Sequence, residues 1–253
     1  MRDEFTLNML DIPNGWNRGT GDWTGVAAAM QRGETVEVIQ EVGSTLWRNS
    51  LPAKHSLYWE GENRSPIKGR IWISFTQRKF APESVLPKVQ WHPRVLWIGI
   101  GCQARTSREL IETAIQNVCR SYHLAEGAIA GIATIDTKAG EIGLVELCQA
   151  RNWLLKTFAA DVLSSVAVPN PSDVAATAVG TPSVAEAAAL CAIAQIVTAH
   201  QHQKTQISIN HLRFSPLMGA AQPLLVPKKI FRSDKKLGSV TVAVAVCPID
   251  YLG

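Results

Sequence analysis

The stretch that decides the fold is Val95-Leu96-Trp97-Ile98-Gly99-Ile100-Gly101-Cys102-Gln103-Ala104-Arg105-Thr106-Ser107-Arg108-Glu109. From Val95 to Ile100 it is an unbroken apolar run, the mark of a strand covered on both faces. The run breaks at Gly101. Thr106 and Glu109 then have capping-box spacing, which predicts that each satisfies an orphan amide of a helix start. Leu110, Ile111, Ala114, Ile115 and Val118 follow at helical spacing. Buried strand, glycine turn and amphipathic helix in succession predict an α/β sheet.

The pattern repeats downstream. Ala128 to Ile135 reads as a strand, Gly143 to Ala150 as a helix, Leu154 to Phe158 as a strand and Ala159 to Val166 as a short helix. Pro169-Asn170-Pro171-Ser172 is a loop, because Pro171 restricts Asn170 to extended conformations. Gly180-Thr181-Pro182-Ser183 leads into an alanine-rich helix running to about Ala199, with Ser183 and Glu186 as a second capping box. Ala199 to Gln222 is a polar insertion without periodicity, and strands at Leu224 to Lys229 and Val240 to Val246 close the chain.

Upstream, Gln77 to Pro93 carries Pro82, Pro87 and Pro93 and reads as a linker. Before it, Gly15 to Trp23 (G-W-N-R-G-T-G-D-W) reads as a loop. A short helix from Asp22 to Gln31 follows, capped by Asp22 and ended by Gly33. Thr35 to Val42 and Arg70 to Phe75 are strands, and Ser50 to Pro66 a loop. The fold class is therefore α/β: an open α/β sheet domain at residues 93–253, preceded by a smaller α/β central region at 1–92.

Bulk properties narrow the function classes. The chain has 253 residues, 46% hydrophobic and 18% charged, with a net charge of +4. No Lys/Arg run is interleaved with aromatics, which argues against a nucleic-acid partner. Cys102, Cys119, Cys148, Cys191 and Cys247 are scattered and include no C-x-x-C pair, so reduced cysteines in a cytoplasmic protein are expected. Met1 to Leu10 lacks the apolar core of a secretory signal, and Val184 to Val197 is too short to span a bilayer. No membrane partner is expected. His200 and His202 are two apart, the wrong spacing for one helix face, so no metal site is expected either. The eight tryptophans lie between Trp16 and Trp153, which suits packing better than an aromatic cage.

Three motifs can carry chemistry. Gly99 to Thr106 places glycines after a buried strand and a helix start beyond them, where backbone amides can receive an anion. It lacks the third glycine of a dinucleotide fingerprint, and taken alone ordinary turn chemistry is the better explanation of it. Ala133 to Lys138 (A-T-I-D-T-K) ends a buried strand in polar groups, where functional residues of open sheets gather; an Asx turn at Asp136 is the bland alternative. Val179 to Ala189 is a second helix start facing either a ligand or nothing.

Taken in order, these motifs carry a resemblance. V-L-W-I-G-I-G-C at Val95 to Cys102, I-A-T-I-D-T-K at Ile132 to Lys138 and T-F-A-A-D at Thr157 to Asp161 come first. V-G-T-P-S-V-A-E-A-A-A at Val179 to Ala189, L-L-V-P-K at Leu224 to Lys228 and S-V-T-V-A-V-A at Ser239 to Ala245 complete the set. Together they resemble the carboxyl-terminal domain of the CbiG/CobE family. L-N-M-L-D-I-P, D-W-T-G-V-A-A-A-M and V-E-V-I-Q-E-V-G-S-T-L-W, between Leu7 and Trp47, resemble the central region of CbiG.

The resemblance implies cobalamin biosynthesis. The implied reaction is that of a cobalt-precorrin-5A hydrolase, which opens a δ-lactone with loss of acetaldehyde to give cobalt-precorrin-5B. The alternative it implies is a non-catalytic, CobE-like corrinoid-binding or carrier module. The substrate would be a cobalt-corrinoid rich in carboxylates, the cobalt arriving with it, and no cofactor is expected. The family's amino-terminal domain, with its H-x-G-G-A-N-type motif, has no counterpart here, so a separate amino-terminal domain or another pathway enzyme is an expected partner. Lactone hydrolysis needs a base and oxyanion donors. Asp136 and Glu186 are the candidate catalytic residues. Gly101, Cys102, Arg105, Thr106, Thr134, Lys138, Gly180, Thr181 and Ser183 are the candidate substrate-binding residues.

Overall fold

The computed structural model describes residues 15–62, 66–81, 85–172, 177, 180–204, 224–232 and 238–248. The described residues fall into two units. One comprises the described residues up to 95 together with 123–128 and 248, the other those within 96–122 and 129–247. Each is a five-stranded sheet with helices, so the fold is mixed α/β. Among the described residues, no helix is long and apolar enough to cross a membrane.

The second unit is built on β6 (Leu96–Cys102), β7 (Ile129–Ile135) and β8 (Leu154–Phe158), which run parallel. Helices α2 (Arg108–Ser121) and α3 (Ile142–Arg151) connect them. After α4 (Ala160–Ser164) and α5 (Val184–Lys204) comes an antiparallel pair, β9 (Leu224–Arg232) and β10 (Ser239–Val246). β10 docks antiparallel on β6, giving the order β8-β7-β6-β10-β9. β6 therefore lies at the centre, which is why its apolar run needs no polar face. α5 packs across β6, β7 and β10, while α2 and α3 pair with each other and pack on β10 and β8. Side chains alternate along a strand, and Gly99 and Gly101 of β6 turn toward Ala185 and Val184 of α5. Ile98, Ile100 and Cys102 consequently share the opposite face with α2 and α3. The buried stripe of α2 is the one its sequence spacing predicts, from Leu110 to Val118.

The first unit contains β1 (Asn17–Gly21), α1 (Trp23–Gln31), β2 (Val36–Gln40), β3 (Leu57–Trp59), β4 (Gly69–Ile73) and β5 (Lys88–His92), in the sheet order β1-β5-β4-β2-β3. Asp22 caps α1 by accepting from the amide of Gly25, and Gly33 follows in the left-handed conformation. The core gathers Val36, Val38, Ile71, Ile73 and Val89 with Trp16, Trp47 and Trp91. Trp23 meets Trp91 edge to face at 5.1 Å, the packing role expected of the tryptophans.

Several sequence expectations are corrected. The stretch read as a linker holds β5, an interior strand whose last four residues are buried. Pro87 and Pro93 flank it without interrupting its hydrogen bonds, which disguises it in sequence. The opening loop holds β1, an edge strand too polar to show alternation, and β3 lies within the stretch between Ser50 and Pro66. The cap of α2 is Ser107, which accepts from the Leu110 amide at 3.3 Å, and Thr106 instead donates to the Gln103 carbonyl at 2.7 Å. α5 runs past Ala199 to Lys204, into the stretch read as an insertion; residues 205–222 of that stretch lie outside the described residues, as do Met1 to Asn14.

Candidate functional site

Three helix starts meet the carboxyl end of the parallel strands. α2 leaves the end of β6 after the turn at 103–107. The first turn of α3 packs so closely on that turn that a methyl group on Gly143 would lie 2.4 Å from the Thr106 carbonyl oxygen. The first turn of α5 abuts β6 from the other face, where a methyl group on Gly99 would lie 1.8 Å from the Ala185 carbonyl oxygen. Helix N-termini present unpaired amides and positive potential.

On the face shared with α2 and α3, the structure brings together Cys102, Arg105, Lys138 and a residue that sequence reasoning missed, Glu141. One oxygen of Glu141 accepts from the backbone amide of Arg105 at 2.7 Å, and the other accepts from the Lys138 ammonium at 3.1 Å. Arg105 has φ +62°, unusual for a residue with a Cβ. Its guanidinium is exposed and makes no ion pair among the described residues. The pKa of the Cys102 thiol is pushed up to about 11, chiefly by burial; Lys138 opposes the rise and Glu141 adds to it. Asp136 opens the 3-10 turn Asp136–Lys138 at the end of β7. It is exposed, and its carboxylate accepts no hydrogen bond among the described residues, so the Asx turn is not formed.

Two of the candidate hydroxyls donate to backbone carbonyls. Thr134, wholly buried in β7, donates to the Ile100 carbonyl at 2.7 Å and so ties β7 to β6. Thr106, also buried, spends its hydroxyl on the Gln103 carbonyl.

On the face shared with α5, the Ser183 hydroxyl accepts from the Glu186 amide at 3.4 Å, forming the cap bond of that helix. Gly180 takes φ +73°, which glycine adopts without strain. Thr181 is fully buried, and its hydroxyl finds no partner among the described residues. Glu186 is fully buried too. Its carboxylate accepts from the Asn170 amide at 3.2 Å, the Asn170 side chain at 2.9 Å and the Lys228 amide at 3.0 Å. The expected reciprocal bond to Ser183 is replaced by these three, which fasten α5 to β9 and to the loop around Asn170. Gly101 lies near the end of β6, where its carbonyl accepts from the Thr241 hydroxyl of β10 at 3.0 Å.

Two grooves among the described residues lie elsewhere. One of about 250 Å3 runs between α2, from Glu109 to Asn117, and Phe231 and Arg232 of β9. Another of about 350 Å3 lies against α3 and β8 around Cys148 and Trp153. None of the sequence-predicted site residues lines either.

Comparison with known proteins adds to this geometry. The sequence pattern described as "Cobalamin synthesis G C-terminus" matches residues 96–245, and that described as "Cobalamin biosynthesis central region" matches residues 5–93. A cobalt-precorrin-5A hydrolase of Priestia megaterium is 27% identical over 233 residues, covering 90% of this chain and 54% of the relative. One of Salmonella typhimurium is 30% identical over 127 residues, covering 50% and 34%. The chain thus spans about half the length, or less, of these curated relatives. Among solved structures, CobE, from the cobalamin biosynthetic pathway, is 26% identical and covers 60% of this chain and 89% of its own, with a TM-score of 0.44. A putative cobalamin biosynthesis protein G homologue from Sulfolobus solfataricus is 15% identical and covers 97% and 62%, with a TM-score of 0.38.

Proposed function

The chain belongs to the cobalamin synthesis G family, and from that membership we propose that it acts on a cobalt-corrinoid intermediate, as a cobalt-precorrin-5A hydrolase or a part of one. The observation that carries the reading to the site is the cationic edge at the mouth of β6 and β7. The exposed guanidinium of Arg105, which makes no ion pair among the described residues, stands there with the ammonium of Lys138; the Glu141 carboxylate accepts from the Arg105 backbone amide and from that ammonium. A corrin ring bearing acetate and propionate arms offers the anions such an edge receives, and Arg can engage a carboxylate through two parallel hydrogen bonds.

For the chemistry, Asp136 is the proposed base. Its carboxylate is exposed and accepts no hydrogen bond among the described residues, as activation of a water requires, whereas the oxygens of Glu186 are occupied by three donors. Glu186 is proposed to hold the start of α5 in place. The Thr181 and Ser183 hydroxyls, whose protons find no acceptor among the described residues, are the proposed donors toward the lactone oxygen. Gly101, Cys102 and Gly180 are proposed to shape the approach, and Thr106 and Thr134 to brace it. A separate amino-terminal domain or another pathway enzyme remains the proposed partner, and the cytoplasm the proposed location.

A second reading, the CobE-like carrier module, is favoured by one observation: much of the polar equipment of this edge, namely Thr106, Thr134 and Glu186, is already tied to backbone groups. Substitution of the basic pair tests binding, which both readings require. Arg105→Ala with Lys138→Ala should weaken affinity for a cobalt corrin with free carboxylic acid arms by about tenfold or more. A corrin whose arms are amides should scarcely notice. Unchanged affinity for the acid form would remove the edge from the mechanism.

A further inference from the structure

Arg105 is the one candidate binding residue whose backbone is strained. A left-handed conformation is disfavoured for a residue with a Cβ, and such outliers persist only where the surroundings impose them. The turn at 103–107 contains Arg105 with φ +62° although glycine would occupy that conformation freely. What holds it is Glu141, whose carboxylate accepts from the Arg105 amide at 2.7 Å. Glu141 is the N-terminal flanking residue of α3 and is largely buried, with 12% of its side chain exposed. Its other oxygen takes the Lys138 ammonium at 3.1 Å. A single carboxylate thus bridges the loop after β6 and the turn after β7. The bond to Arg105 is made through the main chain, so the guanidinium is left exposed, with no ion pair among the described residues.

We infer that Glu141 is the positioning residue of the carboxylate receptor, fixing the left-handed turn at Arg105 so that its guanidinium stands beside Lys138 and meets an anionic arm of the ligand. The inference rests on the proposed corrinoid reading and adds a residue and a division of labour to it. Glu141 does not touch the ligand. It is an anion beside an anion site, so its charge by itself opposes binding, and only its geometry can favour it. This sets the direction of each substitution. Glu141→Gln keeps an acceptor for the Arg105 amide and removes the opposing charge, so affinity should hold or rise. Glu141→Ala removes the acceptor, and the turn relaxes.

The test is a titration of the full chain with dicyanocobyrinic acid, a cobalt corrin with free carboxylic acid arms, followed by its visible absorption. Glu141→Ala should lose about tenfold in affinity, as when a charge-assisted contact is misaligned, while Glu141→Gln matches or exceeds the wild type. Arg105→Gly should bind as weakly as Glu141→Ala, and combining the two should add little, because residues acting through one group are not additive. Circular dichroism and exchange of the Arg105 amide monitor the turn in each variant. Full additivity of Arg105→Gly and Glu141→Ala would overturn the assignment, as would a Gln variant as weak as the Ala variant, which would shift the effect to the Lys138 ion pair. Binding that is unchanged in Glu141→Ala overturns the inference alone. Absence of binding by the wild type overturns the corrinoid reading and this inference together.

Discussion

The thiol of Cys102 sits at the end of β6, where burial pushes its pKa up to about 11 while Lys138 pulls it down and Glu141 pushes it up. Only the thiolate alkylates, so Cys102 reports on the charges of the proposed receptor. Glu141→Gln should lower the thiol pKa and speed alkylation by iodoacetamide at a fixed pH above neutrality. Lys138→Met should raise the pKa and slow it. The pH dependence of labelling, read at Cys102 by mass spectrometry, checks the order; reversal would mean that the two charges do not face the thiol. The other four cysteines are buried, and the pKa of Cys148 is pushed up to about 12 by burial, so they should label later. At this scale the sequence is readable where a side chain's type states its chemistry. Arg105, Lys138 and Asp136 stand out because they end buried strands. Glu141 does not, because its partner Arg105 lies 36 residues away and no local pattern joins them. The capping box at Thr106 and Glu109 misleads by one position. Adjacent Thr106 and Ser107 are both good caps, and the bond from Thr106 to Gln103 decides between them.

Among the elements, the contact between β6 and α5 sets the spacing of the two site faces. Gly99 permits it: a methyl group there would sit 1.8 Å from the Ala185 carbonyl oxygen and 3.0 Å from the Ala189 methyl. Backbone cannot yield as a side chain end does, so Gly99→Ala should cost about 3 kcal/mol or more of stability. Urea unfolding followed by circular dichroism measures it, and a loss below about 1 kcal/mol would mean that α5 can be displaced cheaply. Elements with strong periodicity are the ones the sequence reveals. β6, α2, β7, α3 and β8 lie within a residue or two of where the apolar pattern puts them. β5 is hidden by flanking prolines and β1 by its edge position, since an edge strand with few apolar side chains owes its place to pairing with β5. Pro227 within β9 is compatible with a strand because β9 is also an edge.

At the scale of the whole molecule, the order of the chain and the spatial units do not coincide. Residues 123–128 lie inside the stretch matched by the carboxyl-terminal pattern, yet they belong to the first unit. There the Ala125 amide donates to the Phe75 carbonyl at 2.8 Å and the Gln77 amide to the His123 carbonyl at 2.7 Å. No compositional change marks that segment, and it is recognisable only from its backbone pairing. The family, by contrast, is legible in the chain itself, because six separate motifs keep their order from Val95 to Ala245. What family membership leaves to experiment is turnover. The most direct measurement is acetaldehyde released when the purified chain is mixed with excess cobalt-precorrin-5A under anaerobic conditions. Release in step with conversion of the corrinoid, lost in Asp136→Asn with binding retained, is the expected result. A chain that binds the corrinoid and releases no acetaldehyde would contradict the hydrolase assignment and leave a carrier in its place.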